Sequence, residues 1–269
     1  MLEAGAFGTS ADWDLVLRDL SADRRVCAYD RLGLGQSPDR DGQRPTESQI
    51  AGELAVTLDR LGERDPIILV GHSNGAFYAE AFATLFPARV AGVAYIDGVG
   101  TDDLDNAKVM AELRGEEERA RLAVIGGWLG LAALAAKPMI DAIGLSGPAA
   151  DRKRQAVTSP RHLANARDEV LQIIPGLARV RALGGVSRTV PTAVVVASLN
   201  PASAVDRAWR SAQTKPARRA CQGWVLDANG ATHVSVLGRD RSYVEAAVAW
   251  LSTPGLRHAE SCSPSTFKE

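Results

Sequence analysis

Cysteine is scarce in this chain: Cys27, Cys221 and Cys262 are odd in number and widely spaced. They form no disulfide framework and no zinc-ligand spacing, and read as reduced thiols in a cytoplasmic protein. An excess of charge of one sign is missing too. A net charge of −1 excludes, by charge, any strong draw to nucleic acid or an anionic membrane surface. The N-terminus lacks a basic region followed by an apolar stretch, so no signal peptide is expected. The Ala-, Leu- and Gly-rich stretch from Leu122 to Ile140 is broken at Lys137-Pro138. Its apolar run is shorter than the roughly 18 residues a span requires, which predicts a buried or capping helix rather than a membrane helix. No internal repeat is present. The four histidines sit in no metal-binding cluster. Gly33-Leu34-Gly35 lacks the full dinucleotide fingerprint and does not open a helix. No metal and no cofactor is therefore expected.

What is present is ordinary globular material, 46% hydrophobic and 23% charged. The length of 269 residues suits one large domain or a domain with an insertion. The first half alternates apolar runs with helical patterns. Val26–Asp30, Ile67–Val70 and Val90–Ile96 read as strands. Thr46 is the expected N-cap of a helix ending near Leu61, with Ile50, Leu54, Leu58 and Leu61 as its apolar stripe. Ala76–Phe86 reads as a helix stopped by Pro87. Later strands are expected at Thr192–Ala197 and Gly223–Leu226, and a closing helix at Tyr243–Leu251. Near-continuous apolar strands separated by helices predict a parallel sheet covered on both faces. Between Asp102 and Arg188 no strand is visible. Helices are expected there at Asp105–Arg121, Leu122–Ala136, Asp151–Val157 and Arg161–Ile174. The organisation read from this is a core of 1–101 and 189–255, a helical insertion of 102–188, and a disordered polar tail of 256–269.

The segment between the second strand and its helix carries the chemistry. Gly71-His72-Ser73-Asn74-Gly75 follows Ile67–Val70 and precedes Ala76. A serine at the apex of a strand–turn–helix, with glycine two positions to either side, reads as a nucleophile elbow. The tight turn lifts the serine Oγ clear of the sheet and aims the Asn74 amide at a developing oxyanion. The competing reading is a glycine-rich turn with an idle serine, which the flanking strand and helix disfavour.

Four pieces in order make the chain resemble the α/β-hydrolase superfamily, in its cap-bearing serine hydrolase branch. They are Leu2–Gly8 followed by Trp13, then Tyr29-Asp30-Arg31-Leu32-Gly33-Leu34-Gly35-Gln36-Ser37, then the elbow, then Gly230–Leu237. The resemblance covers Leu2 to Leu251. It implies an α/β fold with a mostly parallel sheet and a helical cap inserted after the strand ending near Asp97. It implies Ser73 as nucleophile, His233 as base, and the amides of Asn74 and Ala6 as oxyanion donors. The other histidines fit this role less well. His72 is read as packing beside the elbow, and His162 and His258 as solvated. The acid stays open between Asp97 and Asp206, with Asp97 leading, because Asn200 stands where the superfamily usually keeps an aspartate. Superfamily members usually have strands ahead of the oxyanion loop, so an unpaired sheet edge is expected here.

The resulting expectation is a hydrolase of a carboxylic ester, thioester or lactone acting through an acyl-enzyme, without a cofactor. A carbon–carbon hydrolase, a cofactor-free lyase or cyclase, or a ligand-binding relative with impaired catalysis are the alternatives. The Leu-, Ala- and Ile-rich cap implies an apolar substrate, with Phe7 and Trp128 as contacts. The partner is expected to be a small-molecule substrate, with no nucleic acid or membrane, and the chain a monomer or homodimer.

Overall fold

A computed structural model describes residues 1–40, 44–200, 202–255 and the backbone of 266–268. Five parallel strands lie in chain order: β1 (Leu2–Glu3), β2 (Ile67–His72), β3 (Val90–Ile96), β4 (Thr192–Ser198) and β5 (Gln222–Asn229). A short β6 (Thr266–Lys268) extends the sheet beside β5, so part of the tail expected to be disordered is a strand. Alternate residues of each strand point to opposite faces. Val70, Ala94, Ile96, Ala193 and Val195 pack against α1 (Asp14–Leu20) and α10 (Ser242–Leu251). Leu69, Val93, Tyr95, Val194 and Val196 pack against α2 (Glu47–Arg60) and α3 (Asn74–Leu85). Both sheet faces are thus covered, which explains why the strands read as unbroken apolar runs.

Local signals account for several boundaries. Thr46 caps α2 in a reciprocal capping box with Gln49. Pro87 stands just past α3, after the capping residue Phe86. Val26–Asp30 is not a strand. Only Ala28 bridges to Leu2, and the Leu2 N–H donates to the Cys27 carbonyl at 2.8 Å. That bridge also occupies part of the sheet edge expected to be unpaired. The segment leaves the sheet because Asp30 gathers loop donors, from the amides of Ser10 at 2.7 Å and Gln36 at 2.8 Å.

Between β3 and β4 the chain is helical: α4 (Ala107–Trp128), α5 (Ala132–Ile143), α6 (Gly147–Val157) and α7 (Pro160–Ala182). α4 runs straight through the expected break at Arg121 and through Gly126-Gly127 to end at Trp128, with Gly130 in the left-handed region just beyond. α7 continues past Pro175, because Ile173, Leu177 and Val180 bury its face against Phe77, Ala81 and Leu113. Packing outweighs the backbone hydrogen bond that proline removes. After β4 come α8 (Ala204–Gln213) and α9 (Lys215–Arg219). Among the described residues no helix is long and apolar enough to cross a membrane. Cys27 is a free thiol, whereas Cys221 is disulfide-bonded, which corrects the expectation of reduced thiols throughout.

Candidate active site

Ser73 ends the turn from β2 into α3 with φ 54° and ψ −129°, a conformation side chains rarely adopt. The backbones crowd here. A Cβ on Gly71 would lie 2.4 Å from Ala76 Cα, and one on Gly75 would lie 2.2 Å from the Glu3 carbonyl oxygen. Glycine at both places is therefore dictated by close approach. Asn74 is the first residue of α3, so its N–H has no acceptor within the helix and faces outward from the elbow. Among the described residues, only Phe7, Ser73 and Asp97 are non-glycine residues with positive φ. All three lie at this one place, and such strain, roughly 1–3 kcal/mol each, gathers where geometry serves a purpose.

His233 follows β5 and donates from Nδ1 to Asp97 Oδ2 at 2.6 Å. Asp97 sits at the end of β3 and is held on its other side. Its Oδ1 accepts from the Ala197 amide at 3.1 Å, and its own N–H donates to Val195 at 2.7 Å. Burial disfavours the imidazolium of His233, but the Asp97 hydrogen bond and charge, aided by Glu116, outweigh it and raise the pKa. With Nδ1–H committed to Asp97, the neutral ring keeps Nε2 as its free lone pair. Asp206, the other carboxylate considered, is engaged elsewhere. It accepts from Ser198 Oγ at 2.5 Å, Ser203 Oγ at 2.7 Å and the Asn200 amide at 3.1 Å.

His72 stacks on His233, with ring centroids 4.6 Å apart, and its Nε2 donates to the His233 carbonyl at 2.7 Å. Burial, then the charge of His233, lowers the His72 pKa to about 3, so it stays neutral and serves as a strut. His162 is fully buried rather than solvated. Its Nδ1 accepts from the Gly35 amide at 3.1 Å and its Nε2 donates to the Phe7 carbonyl at 3.3 Å. Burial, then the nearby Lys153 charge, lowers its pKa to about 4. His258 lies outside the described residues.

The loop after β1 holds Ala6 and the positive-φ Phe7, closed by a hydrogen bond from the Gly8 amide to the Gly5 carbonyl at 3.1 Å. Sequence reasoning missed what fixes this loop. Lys153 of α6 donates to the Phe7 carbonyl at 3.1 Å and to Asp12 at 2.9 Å. Arg31 donates to the carbonyls of Ala4 at 2.6 Å and Gly5 at 3.1 Å, and pairs with Glu3 and Glu169. The Asp30-Arg31 stretch was a visible signal for the second anchor. Nothing local marks Lys153.

Two cavities meet at Ser73 and His233. The first, about 480 Å³, lies under α4, α5 and α7 and is mostly apolar, with Phe7, Ala120, Leu131, Met139 and Leu163 in its walls. The second, about 470 Å³, opens between α4 and α8. Trp128 corrects an expectation. It is 75% exposed and lines neither cavity. Phe7 does line the first, as do Ala6 and Ser73.

Residues 4–249 match the model of the alpha/beta hydrolase family. The chain belongs to that family. It is 41% identical over 106 residues to a 2-hydroxy-6-oxo-2,4-heptadienoate hydrolase of Pseudomonas putida, a stretch covering 35% of this chain and 36% of the relative. It is 33% identical over 100 residues to an AB hydrolase superfamily protein of Gibberella zeae, covering 36% of this chain and 31% of the relative. These matches thus span about a third of each curated relative's length. The fold is that of a thermophilic esterase from Thermogutta terrifontis, with a TM-score of 0.66, 23% identity, and 93% of this chain and 88% of that one covered.

Proposed function

We propose that this chain is a serine hydrolase of carboxylic esters, thioesters or lactones with an apolar arm. One observation carries the reading. His233 is bonded through Nδ1 to Asp97, and it shares its cavities with Ser73, the strained apex of the β2–α3 turn. Ser73 Oγ attacks the carbonyl while His233 Nε2 takes its proton. Asp97 orients the ring and balances the imidazolium charge. The Asn74 and Ala6 amides hold the oxyanion. The leaving group departs with the proton from His233, and water then attacks the acyl-enzyme by the same route. α4 to α7 act as a cap over the first cavity, whose apolar walls take the hydrocarbon part of the substrate.

The test is Ser73→Ala on p-nitrophenyl butyrate, with a fluorophosphonate label located by mass spectrometry. Turnover is expected to fall by about 10³-fold or more, with the label on Ser73 in the parent protein. An unchanged rate in Ser73→Ala overturns the proposal. The similarity to the heptadienoate hydrolase favours one second reading, cleavage of a carbon–carbon bond in a dienoic ketone. A higher kcat/KM on 2-hydroxy-6-oxo-2,4-heptadienoate than on any matched ester would select it.

A further inference from the structure

The tip of the hairpin formed by α4 and α5 is apolar and uncovered. Among the described residues, eleven large apolar side chains are exposed, and seven of them fall between Leu122 and Met139. Leu122, Ile125, Trp128, Leu129, Leu131 and Leu134 are each more than half exposed. Apolar residues exposed singly are ordinary, but a cluster of this size marks a contact surface. These six leave on the order of 800 Å² in water, above the roughly 300–600 Å² of the largest patch on a typical monomer. That area is close to the roughly 800 Å² each partner contributes to a stable interface.

The spacing says what fits there. Leu122, Ile125 and Leu129 recur at i, i+3 and i+7, so they share one face at the end of α4. Leu131, Leu134 and the exposed Pro138 repeat the interval along α5. This is the seam spacing by which helices pack on helices. Charge narrows the choice further. α4 carries four basic and four acidic residues and α5 one of each, and none lies between Leu122 and Ala136. Helices that rest on membranes have a polar face rich in Lys and Arg, which this balanced hairpin lacks. Two copies of the hairpin bring no excess charge of one sign together, and each offers the other a seam of matching spacing.

We propose that the α4–α5 tip docks a second copy of this chain, the two hairpins packing about a two-fold axis through their apolar stripes. Such a self-complementary contact is the commonest way identical chains associate. It does not depend on the hydrolase reading. Leu131 and Met139 belong both to the patch and to the wall of the first cavity, so the second copy adjoins that wall.

Equilibrium sedimentation of the full chain tests this. The parent is expected to dimerise with a Kd of about 1 µM or tighter, the weak end for an interface of this size. Leu122→Glu and Leu134→Glu should each raise that Kd by about 100-fold or more, because the two-fold axis puts two unpaired carboxylates into one buried seam. Both side chains are exposed and line neither cavity at Ser73, so circular dichroism of the dilute variants should match that of the dilute parent. Hydroxyl-radical footprinting locates the contact: Trp128 should be protected in the concentrated parent and reactive in both variants. A parent that stays monomeric at about 100 µM overturns the proposal, whether or not it floats with phosphatidylcholine vesicles. A dimer that both variants retain, or one that leaves Trp128 reactive, overturns it as well.

Discussion

The pairing of Asp97 with His233 makes a prediction about pH. The carboxylate stabilises the imidazolium, so the folded protein holds this proton at a pH above the ordinary 6.5 of the side chain. In the proposed mechanism only the neutral ring can take the Ser73 proton. kcat/KM should therefore fall as pH drops through the raised pKa, placing the acid limb above pH 6.5. Asp97→Asn removes the charge, and it should move this limb to lower pH and reduce kcat by about 10⁴-fold. Asp206→Asn should do neither, because its carboxylate faces Ser198 and Ser203. A pH–rate profile of each variant checks both outcomes. At this scale the turn at Ser73 and the loop that carries His233 were readable because each sits in a local signature. Asp97 led Asp206 without excluding it, because the choice depends on which loop end faces Nδ1 across 136 positions of chain.

The elements explain how a loop so short can hold the oxyanion donor proposed at Ala6. β1 has only two residues, and the loop beyond it turns through Phe7 at φ 54°. Its shape is kept from outside, by Lys153 on α6, His162 on α7 and Arg31 in the loop before α2. Lys153→Met should lower kcat more than it raises KM, approaching the roughly 10²–10³-fold cost of losing a hole donor. Steady-state kinetics on p-nitrophenyl butyrate with the folded variant checks this, and a change in KM alone would refute it. Strands β2 to β5 and the helices α2, α3 and α10 were legible from period and caps, since each is defined within its own few residues, whereas α1 was not foreseen and Val26–Asp30 is not a strand. The insertion was legible as helical but not in its boundaries. α4 and α7 owe their length to faces buried against distant partners, which outweigh the local break signals at Arg121 and Pro175.

At the scale of the whole molecule, the helical insertion is tied to the sheet by buried charge rather than by apolar packing alone. Arg31 pairs with Glu3 of β1 at 2.6 Å and with Glu169 of α7 at 2.7 Å, with all three side chains at most 3% exposed. Lys153 of α6 pairs with buried Asp12 at 2.9 Å, and Arg179 of α7 with buried Glu47 of α2 at 2.7 Å. These charges were taken from water and are useful only while the insertion is docked. Removing one partner leaves another charge buried, at about 3–5 kcal/mol, more than an exposed ion pair contributes. Such coupling was hidden in the sequence because Arg31 and Glu169 lie 138 positions apart. It predicts that insertion and sheet unfold together, so urea transitions followed by circular dichroism and by tryptophan fluorescence should coincide. Glu169→Leu should lower the unfolding free energy by about 3 kcal/mol. The same variant should also lose turnover below its unfolding midpoint, because Arg31 holds the carbonyls of Ala4 and Gly5 beside the proposed oxyanion donor. A variant as active and as stable as the parent would show that the buried pair carries neither load.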